Sequence, residues 1–242
     1  MFRKILLIGL LLSIGKVESA NVALLIVATG KYIQFVPPLV ESAEKYFCKE
    51  HNVTYFVFTD QEPIPLPNTV YTYQERLGWP FDTMKRYHVY EKNWELFKDQ
   101  DYLFASDADM LFVDEVGSEI LGERVATMHP GFVGHRGSYE TSKASKARVK
   151  DKEGKYYFAG GFYGASREAF HHMLKTNIAN IDDDWARGVV AVWHDESHWN
   201  RYCIDFPPTV ILNPSYCYPE SWSLNYPKKL LALDKNHTEI RK

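Results

Sequence analysis

NVALLIVAT, Asn21 to Thr29, is the stretch on which the fold turns. No polar side chain interrupts it between its two ends, and part of it is β-branched. A half-exposed strand would alternate apolar with polar residues. An unbroken run suits a strand buried on both faces, as in a parallel sheet. Working outward, Phe35 to Cys48 has helical spacing, and Val53 to Thr59 (VTYFVFT) reads as a second strand. Gln61 to Asn68 holds Pro63, Pro65 and Pro67 and is a loop. Phe81 to Phe97 is amphipathic and predicts one helix. Tyr102 to Ser106 is a third strand, followed by Asp107-Ala108-Asp109 and an apolar Met110 to Val113. Tyr156 to Ala165 (YYFAGGFYGA) returns to strand character, and Ser166 is placed to cap a helix starting at Arg167. Strands alternating with helices indicate an α/β sheet. In such sheets the ligand crevice lies beyond the carboxyl ends of the strands.

The chain has 242 residues, 45% hydrophobic and 24% charged, which excludes a disordered or low-complexity protein. A formal net charge of -3 argues against a nucleic-acid binder. The 15% aromatic content serves either a large core or stacking on sugars and bases. Cys48, Cys203 and Cys217 allow at most one disulfide.

Residues 1–20 (MFRKILLIGLLLSIGKVESA) start positive at Arg3 and Lys4. An apolar run from Ile5 to Ile14 follows, and then small residues at Val17 and Ser19. This is the pattern of a secretory signal peptide, and the run is too short for a bilayer span of ~20 residues. A short anchor or a buried first element is the other reading. The expected location is the secretory pathway: the Golgi lumen or outside the cell, or the periplasm or envelope if the source is bacterial. Residues 134–155 (GHRGSYETSKASKARVKDKEGK) are basic and nearly free of large apolar side chains. A segment of that composition is expected to bury little and to be mobile, as a plain linker or as a lid.

Three places carry chemistry. Asp107 and Asp109 follow an apolar strand two residues apart, so their side chains can share a face. Paired carboxylates there repel and lose water unless a cation or donor offsets them, and a hard divalent ion does so; an Asp-rich turn is the bland alternative. His194-Asp195-Glu196-Ser197-His198 puts two histidines at i and i+4. That spacing fits a zinc site, yet the zinc-protease signature needs Glu directly after the first His, where this chain has Asp195. Asp195 also suits a helix cap. The basic C-terminus, Lys228, Lys229, Lys235, Arg241 and Lys242, is either a solvated tail or an ordered cover over an anionic ligand.

Taken together, several strings resemble the ABO blood-group type enzymes of glycosyltransferase family six. They are Asp107-Ala108-Asp109-Met110, His129-Pro130, Tyr156-Tyr157 with Gly160-Gly161-Phe162, Ala191-Val192-Trp193-His194-Asp195-Glu196-Ser197-His198 and Lys235-Asn236-His237. Val57-Phe58-Thr59-Asp60-Gln61 fits as well, and the likeness spans roughly residues 22–240. It implies a GT-A fold with a mixed, mostly parallel sheet flanked by helices, residues 21–242 forming one catalytic domain. It implies transfer of galactose or N-acetylgalactosamine from the UDP-sugar to the 3-hydroxyl of a β-galactoside-type acceptor, with retention. Asp107 and Asp109 would hold Mn2+, or Mg2+, on the diphosphate. Val27 and Tyr32 would line the uridine site and Arg86 would face the donor. His129 and Trp193 would contact the acceptor, and Asp195 the donor sugar. Glu196 would lie at the reacting face, and Lys235 would reach the diphosphate from the tail at 228–242. Ala159, Gly160 and Gly161 form the donor-selecting strand, where Gly161 leaves room for a 2-acetamido group. Bacterial members of the family commonly carry Asn at both metal-binding positions; this chain keeps Asp. Pro219 departs from the family's acidic position near the acceptor, with Glu220 as a substitute. A non-catalytic carbohydrate-binding protein on the same scaffold, and a zinc hydrolase using His194 and His198, are the competing readings.

Overall fold

The computed structural model describes residues 19–241; the leader expected at 1–20 lies almost wholly outside the described residues. The apolar run forms β1 (Asn21–Val27), with Val22 to Ile26 fully buried. A turn follows in which Gly30 takes φ +56° while its N–H donates to Asp60 Oδ1 at 2.6 Å. Only a residue without a Cβ enters that left-handed region at no steric cost. Helix α1 (Val36–Tyr46) starts on two prolines, which cost nothing in a first turn because those N–H groups have no helical partner. Its Val36, Leu39, Val40 and Ala43 sit at i, i+3, i+4 and i+7 and are buried. Strands β2 (Asn52–Thr59) and β3 (Thr69–Tyr73) come next.

The helix expected over 81–97 is broken into α2 (Phe81–Met84), α3 (Arg86–Lys92) and a 3-10 turn at Trp94–Leu96. The first break falls at Lys85, whose ammonium pairs outward with Asp182 at 2.9 Å, while Arg86 turns inward and is buried. At the second, the Asn93 side chain donates to Val89 O at 2.8 Å and competes with the helical backbone.

The chain continues through β4 (Tyr102–Asp107), β5 (Met110–Phe112), β6 (Arg124–Met128), β7 (Phe158–Ser166), α4 (Arg167–Ala186), α5 (His194–Asp205), β8 (Val210–Leu212), β9 (Tyr218–Pro219), β10 (Leu230–Ala232) and α6 (His237–Ile240). The main sheet has the order β3-β2-β1-β4-β7-β6-β8. Its pairs are parallel except those made by β7, which is antiparallel to β4 and β6. This is the mixed, mostly parallel α/β sheet expected. Because β7 runs backwards, its first residues reach the same edge as the carboxyl ends of β1 and β4, where Val27 stands opposite Asp107. A small sheet, β5-β10-β9, fixes the tail to the strand after the two aspartates.

Two corrections concern the rest. Segment 134–155 has no regular element, yet Tyr139, Glu140, Ser145, Ala147 and Val149 are buried. Asp184 of α4 anchors it by accepting from Ser145 Oγ at 2.6 Å and Lys146 N at 2.8 Å. The expectation of little burial counted large apolar side chains; small ones and a buried carboxylate do the anchoring. The three cysteines are all free and buried. Helix α4 does begin at Arg167, but the Ser166 side chain makes no cap hydrogen bond. No helix among the described residues is long and apolar enough to cross a membrane.

Gly164 of β7 lies under Phe104, where an added Cβ would come within 2.3 Å of the ring and 2.7 Å of Leu103 O. Backbone cannot yield as a side-chain tip can. Gly164→Ala is expected to destabilise the fold by about 1–3 kcal/mol through overpacking, measured by urea unfolding.

Candidate functional site

A cleft of about 340 Å³ opens at the sheet edge where β1 and β4 end and β7 begins. That is within the usual size of a small-molecule site. Val27, Tyr32, Arg86, Asp107, Asp109, Gly160, Gly161, Trp193, Asp195, Glu196 and Lys235 all line it. Of the residues expected, His129 and Ala159 do not. Ala159 is buried in the core cluster beneath the sheet edge. His129 accepts from Gly131 N through Nδ1 at 3.1 Å and packs its ring against Phe132 and Tyr157. Burial pushes its pKa down to about 4, so it is neutral there.

Arg86 is the hinge of the site. Its Nη2 donates to Asp107 Oδ1 at 2.7 Å and its Nη1 to Gly160 O at 3.2 Å. Its Nε stands 2.9 Å from Asp195 Oδ2. One guanidinium from α3 thus joins the end of β4, the start of β7 and the first turn of α5. Asp195 is 2% exposed, and burial pushes its carboxyl up to about 7 against the opposing pull of Arg86. Asp195 is therefore an ion-pair partner inside α5, and Trp193 holds the cap position expected of it.

Glu196 is fixed by both oxygens. Oε2 accepts from Gly160 N at 2.8 Å and Oε1 from the Tyr157 hydroxyl at 2.7 Å. Burial raises its pKa, while these two donors lower it. An added Cβ on Gly160 would lie 3.4 Å from Glu196 Cβ; one on Gly161 would lie 3.3 Å from Cys217 Sγ and 3.5 Å from Asp107 Oδ2. The missing Cβ that opens space beside Glu196 is therefore that of Gly160.

Trp193 is half exposed, with its indole N–H donating to Ser138 Oγ at 2.8 Å. The next residue, His194, takes φ +49° at the first position of α5. Such strain at a non-glycine residue is common at functional sites. It also takes His194 off the helical face it would share with His198. His194 lines the cleft, edge-on to Trp79, whereas His198 is buried with Nε2 3.6 Å from Asp184 Oδ2. The zinc pairing fails for that reason. Among the described residues no group of three His, Cys, Asp or Glu is gathered to hold a metal.

The C-terminal tail covers the cleft. Leu233 N donates to Asp109 O at 2.9 Å, extending the β10–β5 pairing to the aspartate turn. Lys235 then reaches Asp109 Oδ2. Asn236 caps α6 through Oδ1, and Ile240 is buried. Arg76 Nη2 donates to Arg241 O at 2.6 Å, and the Arg241 guanidinium lies 4.5 Å above the Trp79 ring. Of the two readings of the tail, the ordered cover is the one observed. Arg241 is at the site as the ordered-cover reading of the tail required; Arg76, Trp79, His237 and the cleft-backing Tyr157 were given no site role in the sequence. His237 and Tyr157 stood in strings that carry the resemblance and Arg241 in the basic tail, each without an individual role; Arg76 and Trp79 had no signal beyond residue type. Glu220 accepts from Asp234 N at 2.9 Å and is not part of the lining.

With Asp107 and Asp109, basic groups beside them and Glu196 in one lining, the cleft suits an anionic ligand held next to a restrained carboxylate. A family model described as Glycosyltransferase family 6 matches residues 9–242. Histo-blood group ABO system transferase 1 of Rattus norvegicus is 36% identical over 247 residues, covering 93% of this chain and 70% of that protein. Globoside alpha-1,3-N-acetylgalactosaminyltransferase 1 of Gallus gallus is 32% identical over 242 residues, covering 88% and 67%. Alpha-1,3-galactosyltransferase 2 of Homo sapiens is 27% identical over 223 residues, covering 83% and 63%.

Removing Arg86 leaves the Asp195 carboxylate buried without a partner. Arg86→Met is expected to cost about 3 kcal/mol of stability at neutral pH by denaturant unfolding. With its folded pKa raised above the unfolded value, Asp195 then binds a proton more readily in the native state. The variant should therefore regain stability as pH falls from about 8 to about 6.

Proposed function

The chain belongs to glycosyltransferase family 6 and is a hexosyltransferase, and from that premise we propose that it moves GalNAc or Gal from a UDP-sugar to the 3-hydroxyl of a β-galactoside-type acceptor with retention. The observation that carries the reading is the single cleft in which Asp107, Asp109, Arg86, Lys235 and Glu196 converge. These residues, up to 149 positions apart in a chain of 242, meet at one sheet edge.

The donor set fits a hard divalent cation. Two carboxylates, Asp107 and Asp109, already draw the guanidinium of Arg86 and the ammonium of Lys235, and oxygen ligands of this kind suit Mn2+ or Mg2+ shared with a diphosphate. When bound there, such an ion offsets the charge that develops on the departing UDP. The protein's own cations do related work: Arg86 and Lys235 flank the same anionic position from α3 and the tail, and fixed charge there favours the transition state over the ground state. Val27 and Tyr32, at the mouth by β1, take the uridine. Asp195 accepts from the donor sugar and stays oriented by Arg86. Glu196 faces the anomeric carbon as a restrained carboxylate and stabilises the positive charge that grows on it, the role carboxylates hold in glycoside chemistry. Trp193 offers its half-exposed face to the acceptor. The missing Cβ at Gly160, rather than the one expected at Gly161, leaves room beside Glu196 for a 2-acetamido group, which favours UDP-GalNAc. The tail, with Lys235 over Asp109, excludes water from the donor. We place the protein in the secretory pathway, or in the envelope if its source is bacterial, on the strength of the leader pattern at residues 1–20.

Release of UDP from either donor should require both a β-galactoside acceptor and Mn2+ or Mg2+. Full transfer in excess chelator would contradict the metal assignment. Glu196→Gln should lose transfer by about 100-fold or more while still binding UDP by calorimetry.

A further inference from the structure

Tyr157 reaches Glu196 from outside the set of residues that line the cleft. It precedes β7, is 2% exposed, and donates its hydroxyl to Glu196 Oε1 at 2.7 Å. The ring is clamped by aromatic neighbours, with centroids 4.9 Å from Phe132, 5.1 Å from Tyr139 and 5.7 Å from His129. Gly137 closes against it so tightly that an added Cβ would fall 2.1 Å from Tyr157 Cγ. Tyr139 is pinned in turn by its own hydroxyl, which donates to Tyr156 O at 2.6 Å. Between Gly137 and Tyr139 stands Ser138, the residue that accepts the Trp193 indole N–H. Three consecutive residues of the basic segment therefore brace two different parts of the site: the aromatic surface offered to the acceptor, and the phenol that holds Glu196.

Building on the assignment of Glu196 to the reacting face, we propose that Tyr157 is a positioning residue for sugar transfer. It fixes the orientation of the Glu196 carboxylate, and Gly137-Ser138-Tyr139 holds it in register with Trp193. A carboxylate rotates about its terminal bond unless both oxygens are restrained. Gly160 N restrains one and Tyr157 the other, which leaves the remaining lone pairs aimed into the cleft. The proton stays on the phenol, because burial and the adjacent carboxylate push the Tyr157 pKa far above its ordinary range. The bond is thus donor to carboxylate and favours the charged form of Glu196. The other groups facing Glu196 are Arg86 from α3, Asp107 from β4, Asp195 from α5, Gly160 N from β7 and the Cys217 thiol before β9, which burial and the nearby carboxylates keep protonated. Arg86 cannot take the place of a donor on Oε1, since it is committed to Asp107, Asp195 and Gly160 O.

The test compares Tyr157→Phe and Gly137→Ala with the parent in steady-state transfer across pH, with UDP affinity by calorimetry alongside. Tyr157→Phe keeps the ring and its packing. It should lower kcat about 10- to 100-fold with UDP affinity unchanged. The acid limb of kcat should move up by about one pH unit, because losing the donor lets the carboxyl protonate sooner. Gly137→Ala, which displaces the ring, should shift both readouts in the same direction. Parent kcat and acid limb in Tyr157→Phe, or a lower kcat with an unmoved acid limb, would overturn the positioning role. The underlying assignment is checked separately: a Glu196→Gln protein with parent turnover would remove Glu196 from the reaction whatever Tyr157→Phe does.

Discussion

The site depends on one buried guanidinium. Arg86 is 8% exposed and is shared by Asp107, Asp195 and the carbonyl of Gly160. A charge withdrawn from water in this way is tolerated only when it is paired, and here the partners come from three separate elements. The predicted helix over 81–97 breaks at Lys85, and the second piece opens on Arg86, which it delivers to the cleft. The pairing explains why a carboxylate such as Asp195 can be almost wholly buried beside Glu196. Asp107, Asp195 and Glu196 would repel one another in a confined space, and Arg86 supplies the positive centre between them.

Around that centre the chain builds a wall and two supports. The wall is the edge of the main sheet, which collects residues from β1, β4 and β7 because β7 alone runs antiparallel. The first support is the tail. β10 pairs with β5 directly after the two aspartates, so Lys235 is delivered to Asp109 by strand register as well as by charge. The second support is segment 134–155, tied to α4 through Asp184 and to α5 through Ser138 and Glu140, the latter accepting from Val192 N at 2.8 Å. Both supports are long-range in sequence and local in space; the tail brings Lys235 and Arg241 to the cleft, while segment 134–155 contributes bracing contacts and no residue to the lining.

Much of this was legible in the sequence. The parallel strands showed because burial on both faces leaves unbroken apolar runs such as Asn21 to Thr29. The paired aspartates stood out because two carboxylates after an apolar strand are costly without a cation. The WHDES string marked the start of α5 even though the local geometry did not follow from it. The i, i+4 rule for His194 and His198 assumes helical backbone at both, and the left-handed conformation of His194 breaks it. Segment 134–155 was misjudged because its anchors are Ala147, Val149 and polar contacts to Asp184, which composition does not separate from loop. Tyr157 stood in one of the strings that carry the resemblance but with no role attached; its hydroxyl meets a residue 39 positions away, which no local pattern shows.

The central claim is that the two aspartates and Glu196 serve one ligand in one cleft. A crystal structure with Mn2+ and a non-reacting UDP-GalNAc analogue, with anomalous data at the manganese edge, addresses it most directly. The account predicts an anomalous peak held by Asp107 and Asp109 against the diphosphate, with the hexose anomeric carbon within contact of the Glu196 carboxylate. A metal held elsewhere, or a hexose directed away from Glu196, would contradict it.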